Sequence, residues 1–199
     1  MRVALFDYGV GNLHSLAKAL QAGGAEVDVE TEITSALRKD ALILPGVGAF
    51  GPAAAALLPL APSLRSALSA GHPCLGICLG MQLLFDSSDE GLGMGLGVMR
   101  GHVRRLRSRR VPHMGWNQVE PVRADPLFDG ITRMSAYFAN SFVAEPANPG
   151  DVIAWTEYEG QQFASAIRRD RAWGVQFHPE KSGQTGVQLI RNFLTSARA

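Results

Sequence analysis

Apolar residues in the first 85 positions come in short unbroken runs separated by stretches of helical period. Val3-Ala4-Leu5-Phe6 has the continuity of a strand buried on both faces. Leu13, Leu16, Ala17 and Leu20 then fall at helical spacing, and Gly23-Gly24 predicts where that helix stops. Val27 and Val29 alternate with Glu26, Asp28 and Glu30, as in a half-buried strand. Ala41-Leu42-Ile43-Leu44 reads as a third strand, cut off by Pro45-Gly46. An Ala/Leu-rich stretch follows, which Pro52, Pro59 and Pro62 divide into short helices. Cys74-Leu75-Gly76-Ile77 is a fourth strand, and 79–85 the start of the next helix. Strand and helix alternating in this way argue a parallel sheet with helices on both faces.

The second half has a different rhythm. Strand-like pieces at 98–106, 117–121, 136–143, 152–158, 163–168 and 172–177 are separated by turns rather than helices. They are either antiparallel additions to the same sheet or a small second sheet. Val187, Ile190, Phe193 and Leu194 form the apolar side of a closing helix. With no internal repeat and no Gly/Ser/Pro-rich linker, residues 1–199 read as a single domain. The expected fold class is α/β: three layers, with a mostly parallel central sheet and antiparallel additions in the C-terminal half.

Composition narrows the function classes. A formal net charge of +1 gives no field toward nucleic acid or an anionic membrane. The basic cluster Arg104-Arg105-Leu106-Arg107-Ser108-Arg109-Arg110 is read as a solvated strand and turn. No apolar window has the length of a membrane span, and the N-terminus lacks a signal-peptide core. Two cysteines in one apolar segment make neither a disulfide framework nor a zinc site, so the expected compartment is the reducing cytoplasm. Glycines at alternate positions from 91 to 97 lack the Lys-Ser/Thr and helix of a phosphate cradle. No metal and no cofactor is expected.

Two constellations carry chemistry. Gly76-Ile77-Cys78-Leu79-Gly80 has the glycine-x-nucleophile-x-glycine form of a tight strand-to-helix turn. Small residues two before and two after let strand and helix approach. A thiol there sits near a helix N-terminus, which favours thiolate, and the Leu79 N–H is placed to meet an oxyanion. Otherwise Cys78 is a buried cysteine in a glycine-rich turn; Cys74 has no such context and is read as core. His178 ends the apolar run Trp173-Gly174-Val175-Gln176-Phe177, with Pro179 stopping the strand. Residues two apart in extended chain point the same way, so Glu180 can reach the His178 ring and fix its tautomer. The alternative is a solvated pair at a strand end.

Taken together these residues resemble the class I (triad) glutamine amidotransferases. The class-level likeness lies in Gly76-Ile77-Cys78-Leu79-Gly80-Met81-Gln82 and Phe177-His178-Pro179-Glu180. Four further segments are similar to the glutaminase branch that serves imidazole glycerol phosphate synthesis in histidine biosynthesis. They are Asp7-Tyr8-Gly9-Val10-Gly11-Asn12, Leu44-Pro45-Gly46-Val47-Gly48-Ala49-Phe50, His113-Met114-Gly115-Trp116-Asn117 and Lys181-Ser182-Gly183. One departure is Asn140-Ser141-Phe142, where that branch has His-Ser-Tyr.

The resemblance implies a Cys78–His178–Glu180 triad that hydrolyses glutamine through a glutamyl thioester. It implies an oxyanion hole from the backbone of Val47 and Leu79, one such donor being worth about 2.7–4 kcal/mol. Gly46, Gly48, Gln82 and Ser141 would contact glutamine. The ammonia acceptor would lie on another polypeptide, a (β/α)8-barrel cyclase subunit whose products are imidazole glycerol phosphate and AICAR. Asn12, Met114, Trp116 and Lys181 are the expected partner-facing residues. Rival readings are a glutaminase of the same class serving anthranilate, GMP or pyridoxal phosphate synthesis, a non-catalytic subunit of the same fold, or a stand-alone thiol hydrolase.

Overall fold

The computed structural model describes residues 1–9 and 13–199. The first half supplies β1 (Arg2–Phe6), α1 (Leu13–Ala22), β2 (Glu26–Glu30), α2 (Ile33–Ala36), β3 (Ala41–Leu44), α3 (Phe50–Leu57), α4 (Ala61–Ser69), β4 (Cys74–Ile77) and α5 (Leu79–Gln82). The second half adds β5 (Ser87–Ser88), β6 (Gly101–Arg105), β7 (His113–Pro121), β8 (Met134–Asn140), β9 (Phe142–Pro146), β10 (Val152–Tyr158), β11 (Gln161–Arg169), β12 (Ala172–Val175) and α6 (Gly183–Ser196). A nine-stranded sheet runs in the order β2-β1-β3-β4-β12-β11-β10-β7-β8. Pairings from β2 through β12 are parallel, and those from β12 to β8 are antiparallel. The sheet is therefore mixed, its parallel half carrying the crossover helices.

The alternation of side chains along each strand builds a core on each face. Val3, Leu5, Ile43, Leu75, Ile77 and Val175 pack with Leu16 and Leu20 of α1 and Ile190, Phe193 and Leu194 of α6. Ala4, Phe6, Leu42, Leu44 and Cys74 pack on the other side with Phe50, Leu57, Leu64 and Leu68 of α3 and α4. Burial of each large side chain contributes roughly 1.5–3 kcal/mol, which is why these strands read as continuous apolar runs. Among the described residues no helix is long and apolar enough to cross a membrane.

Several sequence expectations are refined. Both second-half alternatives are realised: β10, β11, β12, β7 and β8 extend the main sheet, and β5, β6 and β9 form a three-stranded second one. The stretch 136–143 is two strands, because the chain leaves β8 at Ser141 and starts β9 in the other sheet. The helix expected over 79–85 is a single turn. In β2 the alternation is offset: Val29 is exposed, while Asp28 and Glu30 are half-buried against Lys39 Nζ at 2.5 and 2.9 Å. An edge strand bounded by ion pairs does not require its apolar face to be inside.

Glycine packing under the β4–α5 turn gives a graded test. A Cβ on Gly76 would meet backbone atoms, Gly80 O at 2.6 Å and Met81 N at 2.7 Å, which cannot move aside. A Cβ on Gly174 would meet Met81 Cγ at 2.7 Å, part of a flexible side chain. Gly76→Ala is expected to lower unfolding stability by about 3 kcal/mol and Gly174→Ala by about 1 kcal/mol. Equilibrium denaturation measures both, and equal losses would contradict the backbone-against-side-chain distinction.

Candidate active site

The parallel register of β4 and β12 sets Val175 opposite Ile77, so the residues beyond both strand ends meet. The Cys78 N–H donates to Val175 O at 2.7 Å, extending the ladder into the turn. Cys78 itself has φ 53° and ψ −107°, a left-handed conformation that costs a non-glycine residue of order 1–3 kcal/mol. Three glycines make room for it. Side chains at Gly46, Gly76 or Gly80 would drive a Cβ into the backbone of this same turn or of Leu44. At Gly46 the atoms met include the backbone nitrogens of Leu79 and Gly80, both 2.5 Å from such a Cβ. The bare α-carbon of Gly46 thus leaves the approach to those N–H groups open.

His178 is held by its backbone. Its N–H donates to Tyr137 O at 2.8 Å and its carbonyl accepts from Ser182 Oγ at 2.6 Å. The Tyr137 N–H donates to the same Ser182 hydroxyl at 3.0 Å, so one buried serine joins β8 to the histidine turn. The sequence reading placed His178 and Glu180 on extended chain. Here Pro179–Lys181 is a 3-10 turn, and Glu180 nonetheless sits beside the ring, Oε1 2.8 Å from Nδ1. The other ring nitrogen is not engaged by Glu180, and His178 and Cys78 line the same cavity. Burial works against a charged ring, but hydrogen bonds to Cys78 and Glu180 outweigh it and push the His178 pKa up to about 9. The helix-end assistance expected from sequence is small, since a one-turn helix aligns few peptide dipoles.

A cavity of about 300 Å³ opens over the thiol. It brings together the predicted residues Gly46, Val47, Gly48, Cys78, Leu79, Gln82, Ser141, His178 and Lys181. Glu180 stays behind the histidine and lines a separate, wider groove with Lys18, Gly183 and Arg191. Met114 and Trp116 lie outside the cavity on the exposed face of β7, 65% and 59% accessible. Trp116 pairs with Tyr137 across the strands, their rings edge-to-face at 6.4 Å, and Lys181 Nζ lies 5.5 Å from the Tyr137 ring. Asn12 falls outside the described residues.

Sequence reasoning assigned no site role to four residues here. Glu90 contributes the one carboxylate among the lining residues, with Oε2 accepting from the Phe50 N–H at 2.9 Å. Tyr8 donates to Pro45 O and so anchors the Gly46–Gly48 loop from below. Asn140 donates from Nδ2 to Phe142 O at 3.1 Å, while its buried Oδ1 has no partner. Gln176 reaches Cys78 Sγ. Tyr8 and Asn140 lay in segments already singled out, and Gln176 had a signal of its own as a lone amide inside an apolar run.

Comparison with known proteins identifies the family. The family model described as glutamine amidotransferase class-I matches residues 4–197. The chain is 43% identical over 205 residues to the imidazole glycerol phosphate synthase subunit HisH of Synechococcus elongatus, covering 100% of this chain and 94% of the relative. It is 40% identical over 201 residues to the subunit of that name from Halobacterium salinarum, covering 96% and 92%. The PurLQS structure from Thermotoga maritima superposes with a TM-score of 0.80 at 19% identity, covering 98% of each chain. A crystal structure of a glutamine amidotransferase gives a TM-score of 0.79 at 20% identity, covering 99% of this chain and 100% of the other; both show the shared fold. By its matched length, its relatives and its cysteine turn, this chain belongs to the class I glutamine amidotransferases.

Proposed function

We propose that the chain is the glutaminase subunit of an imidazole glycerol phosphate synthase, supplying ammonia to a separate (β/α)8-barrel cyclase subunit. The observation that carries the reading is the meeting of Cys78, His178 and Glu180 beside a cavity sized for one amino acid. Full-length similarity to synthase subunits supports the choice of pathway, and such a biosynthetic enzyme would work in the cytoplasm.

The chemistry follows from the roles each group can take. The Cys78 sulfur attacks the side-chain amide carbon of glutamine, and the carbonyl oxygen gains the negative charge. Backbone N–H groups of Leu79 and Val47 hold that oxygen, with Gly46 and Gly48 giving the loop its freedom. His178, protonated at neutral pH by its raised pKa, gives its proton to the nitrogen as the C–N bond breaks. Water then attacks the thioester, passes its proton to His178, and releases glutamate. Glu180 keeps the ring oriented throughout and favours its protonated form before and after the proton is passed on. Within the cavity, the Glu90 carboxylate suits the substrate α-ammonium, while Gln82 and Ser141 contact the rest of the amino-acid head. Neutral water would convert free ammonia to ammonium, so a partner must cover the site. The exposed Met114, Trp116 and Lys181 and the half-buried Tyr137 form an aromatic and cationic face leading to Ala139 at the cavity, and are the surface we assign to the cyclase.

Glutamate release should therefore be measured with the chain alone and with the cyclase subunit and its nucleotide ligand. Cys78→Ala is expected to reduce turnover in the assembly below about 10⁻⁴ of the parent rate; retained turnover would remove Cys78 as nucleophile. For Glu180→Gln the sign follows from charge. The carboxylate raises the His178 pKa, so its loss lets the ring deprotonate at lower pH. The alkaline limb of kcat/KM is expected to move down from its position in the parent, and an unmoved limb would mean Glu180 does not support the base. Trp116→Ala is expected to weaken pairing with the cyclase by about thirtyfold while leaving the melting temperature unchanged. Calorimetric titration checks this, and unchanged affinity would place the interface elsewhere.

A further inference from the structure

Cys78 makes a contact that the triad does not explain. The side-chain Nε2 of Gln176 lies 3.5 Å from Cys78 Sγ, a length suited to an N–H···S hydrogen bond. Gln176 is 0% exposed, and an amide in an apolar interior keeps its polar ends paired. Counting donors decides which end faces the sulfur. The Phe142 carbonyl can only accept, so Gln82 turns its Nε2 toward it at 3.1 Å. That same Nε2 lies 3.1 Å from Gln176 Oε1, which must therefore be the accepting end. The NH2 of Gln176 is left facing the thiol. The backbone fixes the arrangement, since the Gln176 N–H donates to Ser165 O at 2.9 Å and Val175 O accepts from the Cys78 N–H.

We infer that Gln176 is a further catalytic residue of this site, donating from its side-chain amide to the Cys78 sulfur and stabilising it as thiolate. The inference rests on Cys78 as the nucleophile. A hydrogen bond to an anionic acceptor is about twice as strong as one between neutral groups. The contact is therefore tight when the sulfur is a thiolate and slack once it is acylated. It tightens again in the second half of the reaction. Water adds to the glutamyl carbonyl and gives its proton to His178; the C–S bond then breaks, and its electron pair goes to the sulfur facing Gln176. Gln176 thus favours departure of the sulfur, while Gln82, which contacts both Phe142 and Gln176, sets the amide's polarity.

The test compares Gln176→Glu and Gln176→Leu with the parent. The Glu variant keeps length and an oxygen for Gln82 but puts an acceptor against the sulfur; the Leu variant removes the donor without adding charge. Alkylation of Cys78 by iodoacetamide is followed against pH by mass analysis of its peptide, with thermal unfolding as the control for folding. Glutamine turnover is measured in the assembly with the cyclase. The midpoint of alkylation is expected to rise by about one pH unit or more and kcat to fall by about tenfold or more, with KM maintained. A folded Glu variant with the parent's midpoint overturns the inference, whatever its kcat. Turnover that survives Cys78→Ala would instead overturn the nucleophile reading, and this inference with it.

Discussion

Everything at the site depends on two short strands that the chain brings together late. Cys78 and Gln176 are 98 positions apart, yet the parallel register of β4 and β12 sets their backbones in one ladder. No local preference favours that pairing. It exists because both strands are buried on both faces, and apolar side chains have nowhere else of equal worth to go. Closing so long a loop has an entropic cost, and parallel pairing gives little back until most of the sheet is in place. The thiol and imidazole therefore come into register as a product of the whole fold rather than of any segment.

The pairing also makes room for strain. Cys78 holds a positive φ that a relaxed turn would discard, and the three surrounding glycines let backbone close on backbone tightly enough to keep it. His178 is held by two backbone groups of Tyr137 acting through a direct hydrogen bond and through Ser182. Neither Cys78 nor His178 sits on a long flexible stem. Their geometry is that of the main chain, which moves little.

Much of this was legible beforehand, and what was not has physical reasons. The parallel half was readable because doubly buried strands are written as unbroken apolar runs such as Val3–Phe6 and Ala41–Leu44. The cysteine turn was readable because its steric demand can be met only by glycine at fixed positions. The break at Ser141 was not: the 136–143 stretch has strand-like residues throughout, and only tertiary pairing decides that Asn140 and Phe142 belong to different sheets. Glu90 follows no period, since a carboxylate placed by a loop leaves no trace in hydrophobic spacing. Gln176 was visible as a polar letter in an apolar run, but its partner could be named only once β12 lay beside β4.

Glu180 lies on the far side of His178 from the substrate cavity, within a groove that also holds Lys18 and Arg191. The surroundings of the carboxylate beside His178 and the lining of the cavity over Cys78 are thereby written in different places. Exchange of a charge at position 18 or 191 alters the field felt by the carboxylate without changing the shape of the cavity over Cys78. The charge around Glu180 and the shape of the cavity can therefore vary nearly independently, and change in the first need not disturb the second.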